Sequence, residues 1–330
     1  MKKKKRNNMW KRAVASLLEL IMLIALTVGS SLAFLHTKSN EKSNVFTSTN
    51  DIKLYLDEPS YNLREIKDGS GNISYELKNA LQLDPREYVP GMTYPKDPTL
   101  YNITGKQQKK SDSSEELAEE WVAVRVDYEI DDGVDATDDS KTYAEMIQDY
   151  SGATSTSSTK LGIIEKIKFD GTEDDGTVIA DPTEFGDWIK LPKSLYGGAK
   201  YDIYVYKYKL KANEEVIIGD SDTATTIESM LKNKATERVT DSGGNVTLGS
   251  KTSPLFSEVQ IKTREQLEKN GYEIATLNEF TIKVTGAAIK NLVTIDQGAI
   301  DKNEIMKDAN TVDTDKKSGV IVKDLIDLLQ

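Results

Sequence analysis

The chain has 330 residues, with 43 basic and 54 acidic side chains, a formal net charge of −11, one histidine and no cysteine. That balance argues against a nucleic-acid partner, because no basic cluster interleaved with aromatics offsets the negative field. Without cysteine there are no disulfides, so stability has to come from a buried core. With one histidine, every multi-histidine zinc site is excluded.

Lys2, Lys3, Lys4, Lys5, Arg6, Lys11 and Arg12 form a basic head, and Ala13 to Leu26 is apolar apart from Ser16 and Glu19. Ser31 and Ala33 then place small residues where a signal peptidase reads. This order predicts a secretory signal over 1–33, with cleavage after Ala33. The alternative is a membrane anchor, since the apolar region extended to Leu35 reaches the roughly 20 residues that span a bilayer. Glu19 and the Gly29-Ser30-Ser31 break favour cleavage, so membrane contact is expected only through the uncleaved signal. Loss of 1–33, with seven basic side chains and Glu19, leaves 297 residues of net charge −17. No Leu-Pro-x-Thr-Gly sorting signal is found near the C-terminus, and the product is expected to be released.

Beyond the signal most segments alternate with period two. Ile52, Leu54 and Leu56 share one face; Val122, Val124, Val126, Tyr128 and Ile130 share another; Tyr204, Tyr206, Tyr208 and Leu210 follow in "YDIYVYKYKL". Val259 with Ile261, and Phe280, Ile282 and Val284 in "FTIKV", complete the set. Alternation of this kind predicts strands with one buried face in antiparallel sheets, arranged as a sandwich. Short helices are secondary: Tyr143, Met146, Ile147 and Tyr150 fall on one helical face, Thr263 with Gln266 forms a capping-box pattern ended by Gly271, and Ile227, Met230 and Leu231 form another group. In the tail, Ile321, Leu325 and Leu328 predict an amphipathic helix. Surface insertions are expected near 106–120, 131–160 and 220–253, where the composition is charged or Ser/Thr/Gly-rich.

Motifs for chemistry are sparse, and no enzymatic activity, cofactor or metal is expected. His36, three residues past the cleavage point, is poorly placed as a general base. "DSGG" at Asp241–Gly244 matches half of an aspartic-protease pair and reads better as a turn. "DGTEDDGTVIAD" (170–181) fails the EF-hand spacing and reads as a solvated acidic loop. There is no phosphate-binding or dinucleotide-binding glycine motif.

Four blocks in order resemble the TasA/camelysin family of secreted Gram-positive proteins: "AFLHTKSNEKSNVFTSTNDIKLYL", "YVPGMTYPKDPTLYNITG" with "WVAVRVDYEI", "YDIYVYKYKLKANEEV" with "SPLFSEVQI", and "FTIKVTGAAIKNLV". The sequence departs from the family pattern at Thr49-Asn50 and at Asn213, where Gly is usual, and at Lys290 in place of Gln. The resemblance implies an antiparallel jelly roll over 51–293, with 34–50 as a mobile arm and 294–330 as a partly helical extension. It implies a secreted fibre subunit of the extracellular biofilm matrix, whose arm becomes a donor strand in the next copy. Phe34, Leu35, Val45 and Phe46 would be the plugs of that arm, and the partner would be a second copy of the chain. Two alternatives stand beside this reading. One is a monomeric surface adhesin or ligand-binding module using the Tyr204, Tyr206 and Tyr208 row. The other is the metallopeptidase activity that the camelysin label carries.

Overall fold

The computed structural model describes residues 54–58, 63–67, 73–77, 89–103, 119–130, 140–149, 161–170, 184–212, 231, 233–274, 280–290, 295 and 298–330. The expected signal and arm, and the low-complexity run 151–160, lie outside the described residues. In chain order the strands are β1 (Leu54–Asp57), β2 (Leu63–Lys67), β3 (Ile73–Leu77), β4 (Thr93–Pro95), β5 (Thr99–Asn102), β6 (Glu120–Ile130), β7 (Ser140–Lys141), β8 (Ile164–Phe169), β9 (Glu184–Phe185), β10 (Trp188–Lys190), β11 (Asp202–Tyr206), β12 (Val239–Thr240), β13 (Val246–Thr247), β14 (Phe256–Ile261), β15 (Phe280–Lys290), β16 (Met306–Asp308) and β17 (Thr311–Val312). The helices are α1 (Tyr143–Ile147), α2 (Arg264–Lys269) and α3 (Lys317–Leu329).

The protein is all-β, with antiparallel sheets and few helices. β15-β6-β11-β10-β9 follow one another in a six-stranded sheet, with β7 also pairing β6. β15 and β6 run together over eleven residue pairs, from Phe280 opposite Ile130 to Lys290 opposite Glu120. A second layer is built on β4-β14-β8. β5 continues it, because the Asn102 N–H donates to the Ser250 carbonyl and the Thr252 N–H to the Leu100 carbonyl, each at 2.9 Å. β1 then pairs with β5 and ends this layer.

The alternating residues put one core between the layers. Val122, Val124, Val126 and Tyr128 of β6 meet Leu54, Leu100, Phe256, Val259 and Ile261 there, all buried. Phe169 is its aromatic centre, with ring centroids 4.4 Å from Phe185, 5.6 Å from Tyr204 and 5.8 Å from Phe256. Gly286 on β15 admits the opposing layer: a Cβ there would lie 2.8 Å from Leu100 Cδ2 and 3.1 Å from Leu54 Cδ2.

The other face of the six-stranded sheet is also buried. Trp121, Ala123, Ile189, Ile203, Val205, Ala287 and Ile289 pack against Ile321, Val322, Leu325, Ile326 and Leu329 of α3. Arg125 ties this helix down: its Nη1 donates to the Leu329 carbonyl at 3.1 Å, while its Nε and Nη2 grip Asp127 at 2.7–3.0 Å. A cation at the carbonyl end complements the helix dipole. The segment set apart as an extension thus carries a third layer of the fold.

The described parts of the expected insertions are ordered elements. Glu120, given to the first insertion, opens β6 and is fully buried. Within 131–160, β7 joins the sheet and α1 carries a Thr142–Glu145 capping box. The Thr263–Gln266 capping box of α2 forms as expected, and Gly271 follows with φ 88°. Leu231 is buried beside Tyr55, Tyr101 and Ile103, whereas Ile227 and Met230 lie outside the described residues.

Candidate functional site

Ser31, Ala33, Phe34, Leu35, Val45, Phe46 and His36 all lie outside the described residues. The first described strand, β1, opens at Leu54, at the margin of the second layer. β1 and β8 end that layer, and β15 and β9 end the six-stranded sheet.

These margins differ in chemistry. β8 reads Ile-Glu-Lys-Ile-Lys-Phe, and charges at a sheet edge disfavour pairing with another chain. β9 has only two residues, too short to template much. β15 has eleven residues, and its second half, Gly286-Ala287-Ala288-Ile289, carries no charge until Lys290. All four of those residues are buried on the sheet faces. Among the described residues no strand pairs with the outer side of β15. β15 is the longest of the four margins, and β1 (Leu-Tyr-Leu-Asp) likewise carries no charge before Asp57.

The most unusual chemistry inside the fold surrounds Asp202. Its carboxylate is fully buried, with Lys193 Nζ at 3.3 Å and Lys190 Nζ at 3.5 Å. Nearby, the Tyr128 and Tyr204 hydroxyls approach one another without reaching hydrogen-bond geometry, and neither has a partner among the described residues. Burial, followed for Tyr128 by the Asp202 charge and for Tyr204 by Tyr128, holds both phenols far above the usual tyrosine range. Tyr143, beside them, is pushed up to about 12, again chiefly by burial. Burial thus favours the protonated phenols, and Lys190 and Lys193 offset the charge of the buried Asp202 carboxylate. Removing an unsatisfied hydroxyl relieves a desolvation cost. Tyr204→Phe and Tyr128→Phe are each expected to leave the melting temperature unchanged or to stabilise by up to about 1 kcal/mol by calorimetry; a loss of that size would show the hydroxyl to be bonded.

The tyrosine row offers no exposed platform for sugars. Tyr204 and Tyr206 are fully buried, and half-buried Tyr208 carries the Arg238 guanidinium 4.2 Å from its ring centroid. The Asp-Ser-Gly-Gly motif is the turn between β12 and β13. Asp241 Oδ1 accepts the Gly243 and Asn245 N–H groups at 2.8 and 2.9 Å, and Oδ2 accepts Asn245 Nδ2 at 2.8 Å. Those bonds, the Asn245 side chain first, hold its carboxyl below the usual range. Asp170 Oδ2 accepts Ser253 Oγ at 2.7 Å and the Asp187 N–H of the β9–β10 turn at 3.5 Å; the remainder of the acidic loop lies outside the described residues. Among the described residues, no three His, Cys, Asp or Glu side chains converge as metal ligands would. No described helix is long and apolar enough to cross a membrane.

No protein-family model matches this chain, and searches of curated proteins and of solved structures likewise find no match. Its class is defined by its own geometry, an antiparallel all-β sandwich whose larger sheet is covered on the outside by a helix.

Proposed function

We propose that the chain is a secreted structural protein, a fibre subunit of an extracellular matrix that assembles by donor-strand exchange. The two sheets are read as the layers of a jelly roll, in line with the resemblance to the TasA/camelysin family. The observation that carries this reading is the eleven-residue β15 at the margin of the larger sheet, with its uncharged second half. An exposed ladder is satisfied by an added strand, whose main-chain bonds give affinity and whose alternate side chains give specificity. The arm of residues 34–50 supplies such a strand, with Phe34, Leu35, Val45 and Phe46 as its apolar contacts. A head-to-tail contact that does not close propagates as a filament. Signal cleavage is the switch, because an attached signal keeps the arm from reaching a neighbour.

The test deletes Phe34–Phe46 from the full chain, expressed in a secreting Gram-positive host. The secreted product is expected to keep the circular dichroism and melting temperature of the parent and to form no fibres by negative-stain electron microscopy. Fibres in that variant would contradict the proposal.

A further inference from the structure

α3 lies mainly over β15 and β6, and least over β11. The chain just before it covers the rest of the outer face. The Ile300 N–H donates to the Lys207 carbonyl at 2.8 Å, and Ser194 Oγ, between β10 and β11, donates to the Ala309 carbonyl. The helix therefore sits on the β15 side of the sheet, with residues 300–313 along its other flank.

The two flanks can be told apart. A Cβ at Gly319 would lie 1.9 Å from the Asp313 carbonyl oxygen, and Ser318 Oγ accepts the Asp301 N–H at 3.1 Å. At 3.6 residues per turn, Gly319 shares its flank with Ile326, two turns on, while Ile321 and Leu328 share the opposite one. The Ile321–Leu328 flank thus faces the margin of β15. Leu328 is half-buried there, packed against the cluster that holds Ala287 and Ile289.

The inner side of the same margin has a wall as well. Ile282, Val284 and Ala288 turn inward, and Gly286 lies against Leu54 and Leu100 of the opposing layer. A strand added to the second half of β15 is therefore covered on both faces, by β1 inside and by α3 outside. Such a strand needs consecutive apolar residues, where a half-solvated one needs alternating residues.

The arm carries consecutive pairs, Phe34-Leu35 and Val45-Phe46, with the polar run His36 to Asn44 between them. The first half of β15 is polar on its outer face, through Thr281, Lys283 and Thr285. Setting polar run against polar half puts Phe34-Leu35 beside Gly286–Ile289 in the antiparallel sense, the more stable ladder per residue. β1 opens at Leu54, against Gly286, so residues 34–53 start from the side where these margins lie. Extended, they reach on the order of 65 Å at about 3.3 Å per residue, enough to meet the β15 of a neighbour.

We infer that α3 is the outer wall of the acceptor: Phe34 and Leu35 of one copy lie beside Gly286–Ile289 of the next, one side chain facing Leu54 and the other under the Leu328 flank of α3. The inference rests on the reading of the chain as a fibre subunit, and it gives the C-terminal helix a part in choosing the partner strand. A strand of alternating apolar and polar residues would bury polar groups against one of the two walls, at a desolvation cost.

The chain has no cysteine, so introduced pairs report unambiguously. Full chains carry one arm cysteine (Phe34→Cys or Leu35→Cys) and one on α3, either Leu328→Cys or, on the exposed side of the helix, Lys323→Cys. They are secreted from a Gram-positive host, concentrated and oxidised. A disulfide forms only when the two Cα atoms come within about 7 Å. Leu328→Cys is expected to give a ladder of covalent oligomers beyond the dimer with one of the two arm positions and not the other, and Lys323→Cys with neither. Fibres are scored separately by electron microscopy. Fibres with no ladder from either Leu328→Cys pair overturn the α3 wall and leave donor-strand exchange standing. Equal ladders from Lys323→Cys overturn it too, because the contact is then unselective. A ladder without fibres upholds the contact and overturns the fibre reading, and neither ladder nor fibres overturns both. A cross-linked monomer would show the arm folded on its own subunit and overturn the contact between copies.

Discussion

Truncation before Lys317 is expected to give an insoluble chain. α3 buries Ile321, Val322, Leu325, Ile326 and Leu329, all at most 3% exposed. At about 1.5–3 kcal/mol per buried aliphatic side chain, these five contribute on the order of 10 kcal/mol. A whole domain is stable by about 5–15 kcal/mol. The truncation also uncovers Trp121, Ile189, Ile203, Val205 and Ile289 as one apolar face on the six-stranded sheet, which is an aggregation liability. Leu325→Ala, by contrast, is expected to fold and to lose about 2–5 kcal/mol in urea denaturation. A soluble, cooperatively melting truncation would show that α3 is an appendage and that the outer face has another cover.

Lys96→Met is expected to be the most damaging single substitution outside the apolar core. Lys96 follows β4 and Glu58 follows β1; both are buried, with Nζ 2.6 Å from Oε1. Removing one partner of a buried pair leaves an uncompensated charge and costs about 3–5 kcal/mol. Burial already holds the Glu58 carboxyl above its usual range, against the pull of Lys96. Between the unfolded value of 4.5 and that raised folded value, the native state holds a proton that the unfolded state has released. Stability therefore falls as pH rises through this window, and it falls further once Lys96 is gone. Lys96→Met should be closest to the parent at low pH, where the Glu58 carboxyl is protonated, and furthest from it at neutral pH in chemical denaturation. The double variant Glu58→Gln, Lys96→Met should recover most of the loss, because neither member of the pair is then charged. A pH-independent deficit would show that Lys96 acts through packing of its stem alone.

The inner face of the sandwich was legible from alternation because each strand repeats its apolar residues at period two. Val122, Val124, Val126, Tyr128 and Ile130, Tyr204 and Tyr206, Val259 with Ile261, and Ile282 with Val284 all turn into the core between the layers. The outer layer was harder to read. Arg125, Asp127 and Glu129 mark the second face of β6 as polar, yet the same face carries Trp121 and Ala123 under α3. The signal lay in the nearly continuous apolar runs "WVAV" and "IYVY", which fit strands buried on both faces. The cover, about 200 residues away in sequence, has no local signature beyond its own amphipathic spacing. Asp202 was equally hidden, because Lys190 and Lys193 reach it only once β10 and β11 are paired. The arm residues Phe34, Leu35, Val45 and Phe46 rest on the sequence alone.

The most direct test of the central claim is competition. The full chain is secreted from a Gram-positive host, and the processed product is concentrated with and without an excess of a synthetic peptide spanning Phe34–Asn50, then viewed by negative-stain electron microscopy. Fibres are expected from the product alone, with fibre length falling as peptide is added, because the free arm occupies the acceptor edge of each subunit. Fibres of unchanged length at saturating peptide, or a product that stays monomeric without it, would contradict donor-strand assembly.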